Sequence, residues 1–145
     1  SFEAQRFTWD LCVMAGNPDV HRDARAGSDN LSSGNMFNSP DGLAFDEAGL
    51  LWIQTDGNHS NADDFAGQGN NQMLASDSVT GEIRRCLFCP NDCEVTGLSW
   101  SADRRTIFVR IQHPAEDGGS KWPGMTDVPR SAIVAMRRDD GGIIG

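Results

Sequence analysis

Long apolar runs are absent from this chain of 145 residues. No stretch of about eighteen consecutive apolar residues occurs, so no segment reads as a membrane-spanning helix. The N-terminus, SFEAQRFTWD, carries no signal-peptide hydrophobic region, and an export signal is expected upstream of Ser1. Positive charge is also scarce. Twelve Lys and Arg face 21 Asp and Glu, for a formal net charge of −9. That balance argues against nucleic-acid backbones and anionic membrane surfaces as partners. It is compatible with cation binding, although a solvated acidic surface is the commoner origin of such a charge. Phosphate-cradling Gly-x-x-x-x-Gly-Lys and the nucleophile elbow Gly-x-Ser-x-Gly are both missing. The run Asp139-Asp140-Gly141-Gly142 lacks the acidic spacing and closing Glu of an EF-hand loop.

What is present points to β structure. Hydrophobic residues make up 38%, below the globular average, and 16 Gly with 6 Pro accompany many Asn, Asp and Ser. This is the composition of a turn-rich, all-β chain. One stretch is written twice. PDGLAFDEAGLLWIQTD at 40–56 returns as VTGLSWSADRRTIFVRIQ at 95–112, aligning Gly42 with Gly97, Leu43 with Leu98, Phe45 with Trp100, Trp52 with Phe108 and Gln54 with Gln112. The two glycines are 55 residues apart. A period near fifty residues filled with short strands indicates propeller blades. Closing a propeller takes at least about four blades, so the expectation is a slice of a larger one.

The reading along the chain is a leading strand at 7–15, a first blade over about 37–90, and a second, incomplete blade over about 93–145. Alternation in FTWDLCVMA suggests the leading strand. Gly16–Asn38 reads as a long irregular excursion, and so does 57–71. Strands are expected at Leu43–Phe45, Leu51–Thr55, Gln72–Asp77, Ile83–Phe88, Val95–Trp100, Ile107–Gln112 and Ser131–Arg137. The segment MLASD–SVTG–EIRRCLF is the clearest hairpin. A link, His113–Arg130, precedes the last of these strands, and Ile143-Ile144 reads as the start of a further one. Open blade edges would then invite self-association.

The four cysteines are Cys12, Cys86, Cys89 and Cys93. The C-x2-C-x3-C cluster invites a zinc or iron–sulfur reading, but no second ligand pair follows it. A local disulfide and free, half-buried thiols both stay open.

In a propeller the starts of the innermost strands face a central channel. By repeat position these are Ser39 and Asp41 in the first copy, and Glu94 and Thr96 in the second. Asp41 and Glu94 could reach a common axial site, the kind of carboxylate convergence that hard cations require. Pro-Asp-Gly is also an ordinary turn, which leaves Asp41 two readings. Glu94 is less easily explained that way. Asp56 and His113 end the second strand of each copy, where a turn or capping role is favoured. The arginine pairs Arg84-Arg85, Arg104-Arg105 and Arg137-Arg138 suit phosphate oxygens but fit outward strand positions better.

The phrases PDGLAFDEAGLLWIQTDG, GNNQMLASDSVTGEIRRCLFCP, CEVTGLSWSADRRTIFVRIQHP and PRSAIVAMRRDDGGIIG, in that order, resemble the C-terminal part of the PhoX-type alkaline phosphatases. The leading FTWDLCVMAGNP fits as well. The resemblance implies a six-bladed propeller exported to the periplasm or beyond, which hydrolyses phosphate monoesters of small molecules with calcium and iron. It places Asp41 and Glu94 among the metal ligands and implies that further ligands lie upstream. Cys93 matches the family phrase, whereas Cys86 and Cys89 depart from it. Similar blade phrases in lactonase-like, calcium-dependent hydrolases give an alternative, and a non-catalytic propeller segment gives another. A chain with two of many ligands is not expected to be active alone.

Overall fold

The computed structural model describes residues 3–20, 27–124 and 128–145. Its strands are β1 (Pro40–Phe45), β2 (Leu50–Thr55), β3 (Gln72–Asp77), β4 (Ile83–Phe88), β5 (Glu94–Trp100), β6 (Ile107–Gln112) and β7 (Ala132–Met136). The first four form one antiparallel sheet in the order β1-β2-β3-β4, and the last three form a second, β5-β6-β7. Apart from one 3-10 turn at Asp63–Phe65, the described residues are strands and loops. The all-β expectation holds, and the seven strands expected between Leu43 and Arg137 are present.

Local chemistry explains the meander. Gly49 takes a left-handed φ of 87° and donates its N–H to the Asp46 carbonyl at 3.2 Å, closing the β1–β2 turn. The β3–β4 hairpin closes in the same manner, with Gly81 at φ 77° donating to the Asp77 carbonyl at 2.8 Å. The repeated glycines have a shared cause. Pairing of β1 with β2 shifts register between Pro40 and Leu43, and pairing of β5 with β6 shifts between Thr96 and Ser99. Gly42 and Gly97 sit inside these matching bulges, and Gly97 has φ 61°.

Strand β2 is buried on both faces, because its alternate side chains enter different cores. Trp52 joins Met73, Val95, Ile107 and Val109 in a cluster that spans the two sheets. Ile53 joins Phe37, Leu74 and Ile83 in a second cluster, capped by Val13, Ala15, Leu31 and Leu51.

Three expectations are corrected. Residues 7–15 form no strand; Phe7, Trp9 and Leu11 are exposed, and only the end of the segment is held down. There the Met14 N–H donates to Ser28 Oγ at 3.0 Å, and Asn30 Nδ2 bridges the carbonyls of Cys12 (3.2 Å) and Gly81 (3.1 Å). The alternating pattern is real, but no strand among the described residues pairs with it to make a ladder. Ile143-Ile144 likewise forms no strand. The Ile144 N–H instead donates to the Arg104 carbonyl at 2.8 Å and its side chain packs on the shared core, which draws the tail across the β5–β6 turn. Finally, Gln54 is not the counterpart of Gln112. Thr55 faces Pro40 as Ile111 faces Val95, so Gln54 corresponds to Arg110 and Gln112 to Asp56. The longer β5–β6 turn absorbs the extra residue. Residues 21–26 of the Gly16–Asn38 excursion and 125–127 of the His113–Arg130 link lie outside the described residues.

Candidate functional site

The start of β5 gathers acidic groups. Glu94 opens the strand and is 8% exposed. Directly opposite it in the ladder stands Gln112, whose Nε2 donates to Glu94 Oε2 at 2.6 Å. His113 follows, with Nε2 at 3.4 Å from the same carboxylate oxygen and Nδ1 at 3.3 Å from Glu116 Oε2. A positive φ of 32° at His113 turns the chain off the strand, and its N–H donates to Ser131 Oγ at 3.0 Å.

The first copy repeats this layout with different groups. Ser39 takes the place of Glu94, and the Asp56 N–H donates to the Ser39 carbonyl at 3.1 Å. Asp41 lies one residue inside β1, beside the bulge at Gly42, and both β1 and β2 contact β5. The two copies therefore bring carboxylates toward one end of adjacent sheets. Burial holds the Glu94 carboxyl above the ordinary range; the negative charges of Asp56 and Asp41 push it the same way, and His113 opposes them. The sequence-predicted pair Asp41 and Glu94 is thus electrostatically linked, with Asp56 as the stronger of the two acidic neighbours.

A second acid precedes Glu94 on the same segment. Asp92, at φ 56° and largely buried, accepts the N–H of Asp117 and, at 3.1 Å, that of Gly118 through Oδ2. Its Oδ1 lies 3.6 Å from His59 Nδ1. Asn71 ties the surroundings together: its side chain accepts from Thr55 Oγ1 (2.9 Å) and the Gly57 N–H (2.8 Å), and donates to the carbonyls of Gly57 (2.9 Å) and Cys93 (2.7 Å). Gln112 and Asn71 escaped the sequence reading. The signal for Gln112 was the β5–β6 register; Asn71 sits in an Asn-rich loop where nothing distinguishes it from Asn70.

The arginine pairs have structural partners. Arg85 lies 4.3 Å from the Phe88 ring centroid and donates to the Met36 carbonyl at 2.8 Å. Arg104 pairs with Glu47 at 3.1 Å, and Arg137 donates to Thr106 Oγ1 at 2.9 Å. Arg84 and Arg138 pair with Glu82 and Asp140, each at 2.6 Å. The cysteines are free thiols. The donor chemistry around Glu94 suits a hard cation, since it consists of carboxylate oxygens with one imidazole. Among the described residues, however, no three His, Cys, Asp or Glu side chains are arranged to hold an ion.

The sequence model of the family described as alkaline phosphatase PhoX matches residues 1–115. The chain belongs to the PhoX alkaline phosphatase family. A solved structure, Pseudomonas fluorescens PhoX in complex with vanadate, a transition state analogue, is similar at 59% identity with a TM-score of 0.88. The match covers 94% of this chain and 24% of that one, so the chain spans about a quarter of the length of the PhoX protein it matches. No curated protein matches it. The PhoX likeness fits the two sheets to neighbouring parts of a β-propeller, a four-stranded blade followed by a three-stranded one.

Proposed function

We infer that these blades belong to an exported phosphomonoesterase that acts on small phosphate esters with calcium and iron, and that Asp41 and Glu94 are metal ligands of it. The observation that carries this reading is the state of Glu94: a buried carboxyl raised by its surroundings, in the field of two further acids. A cation at that place would relieve the repulsion. Vanadate bound to the relative as a transition-state analogue supports phosphoryl chemistry for the substrate class. Bound ions would activate an oxygen nucleophile and neutralise charge on the phosphoryl group. The residues of this chain orient the ligand. Gln112 and His113 both address Oε2 of Glu94, fixing the plane of the carboxylate. The remaining ligands would come from outside these residues, so the chain alone would hold metal weakly and turn over no substrate. Nucleic acid and membrane surfaces do not suit its charge of −9. The outer strands β4 and β7 leave one ladder edge each for pairing, and a second copy is the partner expected there when the chain is alone.

Calorimetric calcium titration of the chain against Asp41→Asn and Glu94→Gln tests the ligand assignment. Each substitution should weaken binding at least tenfold, and unchanged binding in both removes them from the site. Separately, the protein containing these blades at full length should hydrolyse p-nitrophenyl phosphate in calcium and iron and lose that activity in chelator. Absence of hydrolysis there would overturn the phosphatase reading.

A further inference from the structure

The sequence singles out a cysteine cluster that the metal reading leaves unused. Cys89 ends the β4 side of a tight reversal, Pro90-Asn91-Asp92 forms it, and Cys93 opens the β5 side. The two cysteines are pinned to a single residue. The Cys89 N–H donates to the Asn71 carbonyl at 3.1 Å, and Asn71 Nδ2 donates to the Cys93 carbonyl at 2.7 Å. Asp92, with its left-handed φ of 56°, folds the chain back between them. Cys93 is 2% exposed, and Cys89 is half-buried against the core shared by the two sheets. A hydrogen bond with Cys93, followed by burial, holds the Cys89 thiol above its ordinary range. Cys86 is engaged elsewhere, donating from Sγ to the Met73 carbonyl at 3.2 Å, and Cys12 lies 3.6 Å from Ser76 Oγ.

We propose that Cys89 and Cys93 are a disulfide site, closed by exchange with a small-molecule disulfide, that locks the reversal leading into Glu94. Cys89 reacts first because Cys93 is almost fully covered. The raised Cys89 thiol makes this attack slow, and its small thiolate fraction attacks one sulfur of the external disulfide, releasing one thiolate, which takes up a proton. The Cys93 thiolate then attacks the Cys89 sulfur, forming the internal bond and releasing the second small thiol. Two thiols are oxidised and one external disulfide is reduced to two thiols. The short span favours this pairing because both backbones are already drawn to Asn71, and a disulfide demands such proximity. Closing the loop also fixes Asp92, whose carboxylate holds the amides of Asp117 and Gly118.

The test incubates the purified chain with oxidised glutathione, alkylates it and measures it by mass spectrometry. The reduced chain should take four labels, one per free thiol. After oxidation it should take two, with the unlabelled mass lower by about 2 Da, the two thiol hydrogens. Cleavage before Asp92 separates Cys93 from Cys86 and Cys89, so the linked fragments should stay joined until reductant is added. Cys86→Ser should form the link as before. Cys93→Ser should stop at a glutathione adduct on Cys89. Four labels after oxidation, a lasting adduct on the unsubstituted chain, or a Cys86–Cys89 link would overturn the proposal.

Discussion

The carboxylate of Asp46 accepts the indole N–H of Trp52 at 2.7 Å, and both partners are buried. Its other oxygen takes the Leu50 N–H at 2.9 Å, so one side chain closes the β1–β2 turn and orients the ring beyond it. Trp52 then meets Trp100 of the second sheet edge-on, with centroids 6.2 Å apart. Asp46→Ala removes both bonds and should destabilise the chain by about 2 kcal/mol. Urea unfolding monitored by tryptophan fluorescence measures it, and a midpoint equal to that of the parent would show that the turn holds the ring without the carboxylate.

Asn71 makes four side-chain hydrogen bonds, to Thr55, twice to Gly57 and to Cys93. Alanine there leaves several of these groups without partners in a closed space. A loss of about 3 kcal/mol is expected, larger than for Asp46 because buried unsatisfied groups carry the full desolvation cost. The comparison of Asn71→Ala with Asn70→Ala in thermal unfolding checks this, since Asn70 reaches only the carbonyls of Cys89 and Pro90.

Gly97 isolates backbone strain from crowding. Its φ is 61°, while a Cβ built there would meet nothing nearer than Arg110 Cβ at 3.5 Å, an ordinary contact. Gly97→Ala should therefore cost about 1–2 kcal/mol through conformation alone. Gly97→Asn should recover part of that loss, because Asn tolerates the left-handed region better. Equal stability of the Ala and Asn variants would contradict the strain account.

Asp77 gives a pH signature of the β3–β4 hairpin. Its Oδ1 accepts the N–H groups of Val79 at 2.8 Å and Thr80 at 3.2 Å. The Val79 bond, then those of Thr80, hold its carboxyl below the ordinary value of 3.8. A carboxyl lowered in the folded state contributes stability above its unfolded pKa and loses it as pH falls through the folded one. Asp77→Asn should thus be less stable than the parent at neutral pH, and the two should converge in acid below both pKa values. Denaturant midpoints measured across that range test the sign; a gap that widens on acidification would refute it.

Much of the fold could be read from the chain because period and punctuation agree in it. Gly42 and Gly97 mark bulges at the same place in both copies, and the turn residues Gly49 and Gly81 adopt the left-handed angles for which glycine suits them. The alternation at 7–15 misleads because a strand is defined by its pairing, and no strand among the described residues pairs with it. At the site, Glu94 stood out as an acid opening an apolar strand. Its coupling to Asp56 did not, because Asp56 reads locally as a turn residue and its field acts across the gap between sheets. Gln112 was hidden by the two-residue slip that paired it with Gln54. Pattern reports which face a residue takes, but which group answers it from another strand depends on the register.

The core that joins Trp52 and Met73 to Val95, Ile107 and Val109 has a consequence for how the molecule comes apart. Neither sheet can open without exposing side chains of the other, so the two should behave as one cooperative unit. Amides of β3 and β6, distant in sequence, would then exchange with solvent through the same opening event, while those near Phe7 and Trp9 would exchange long before.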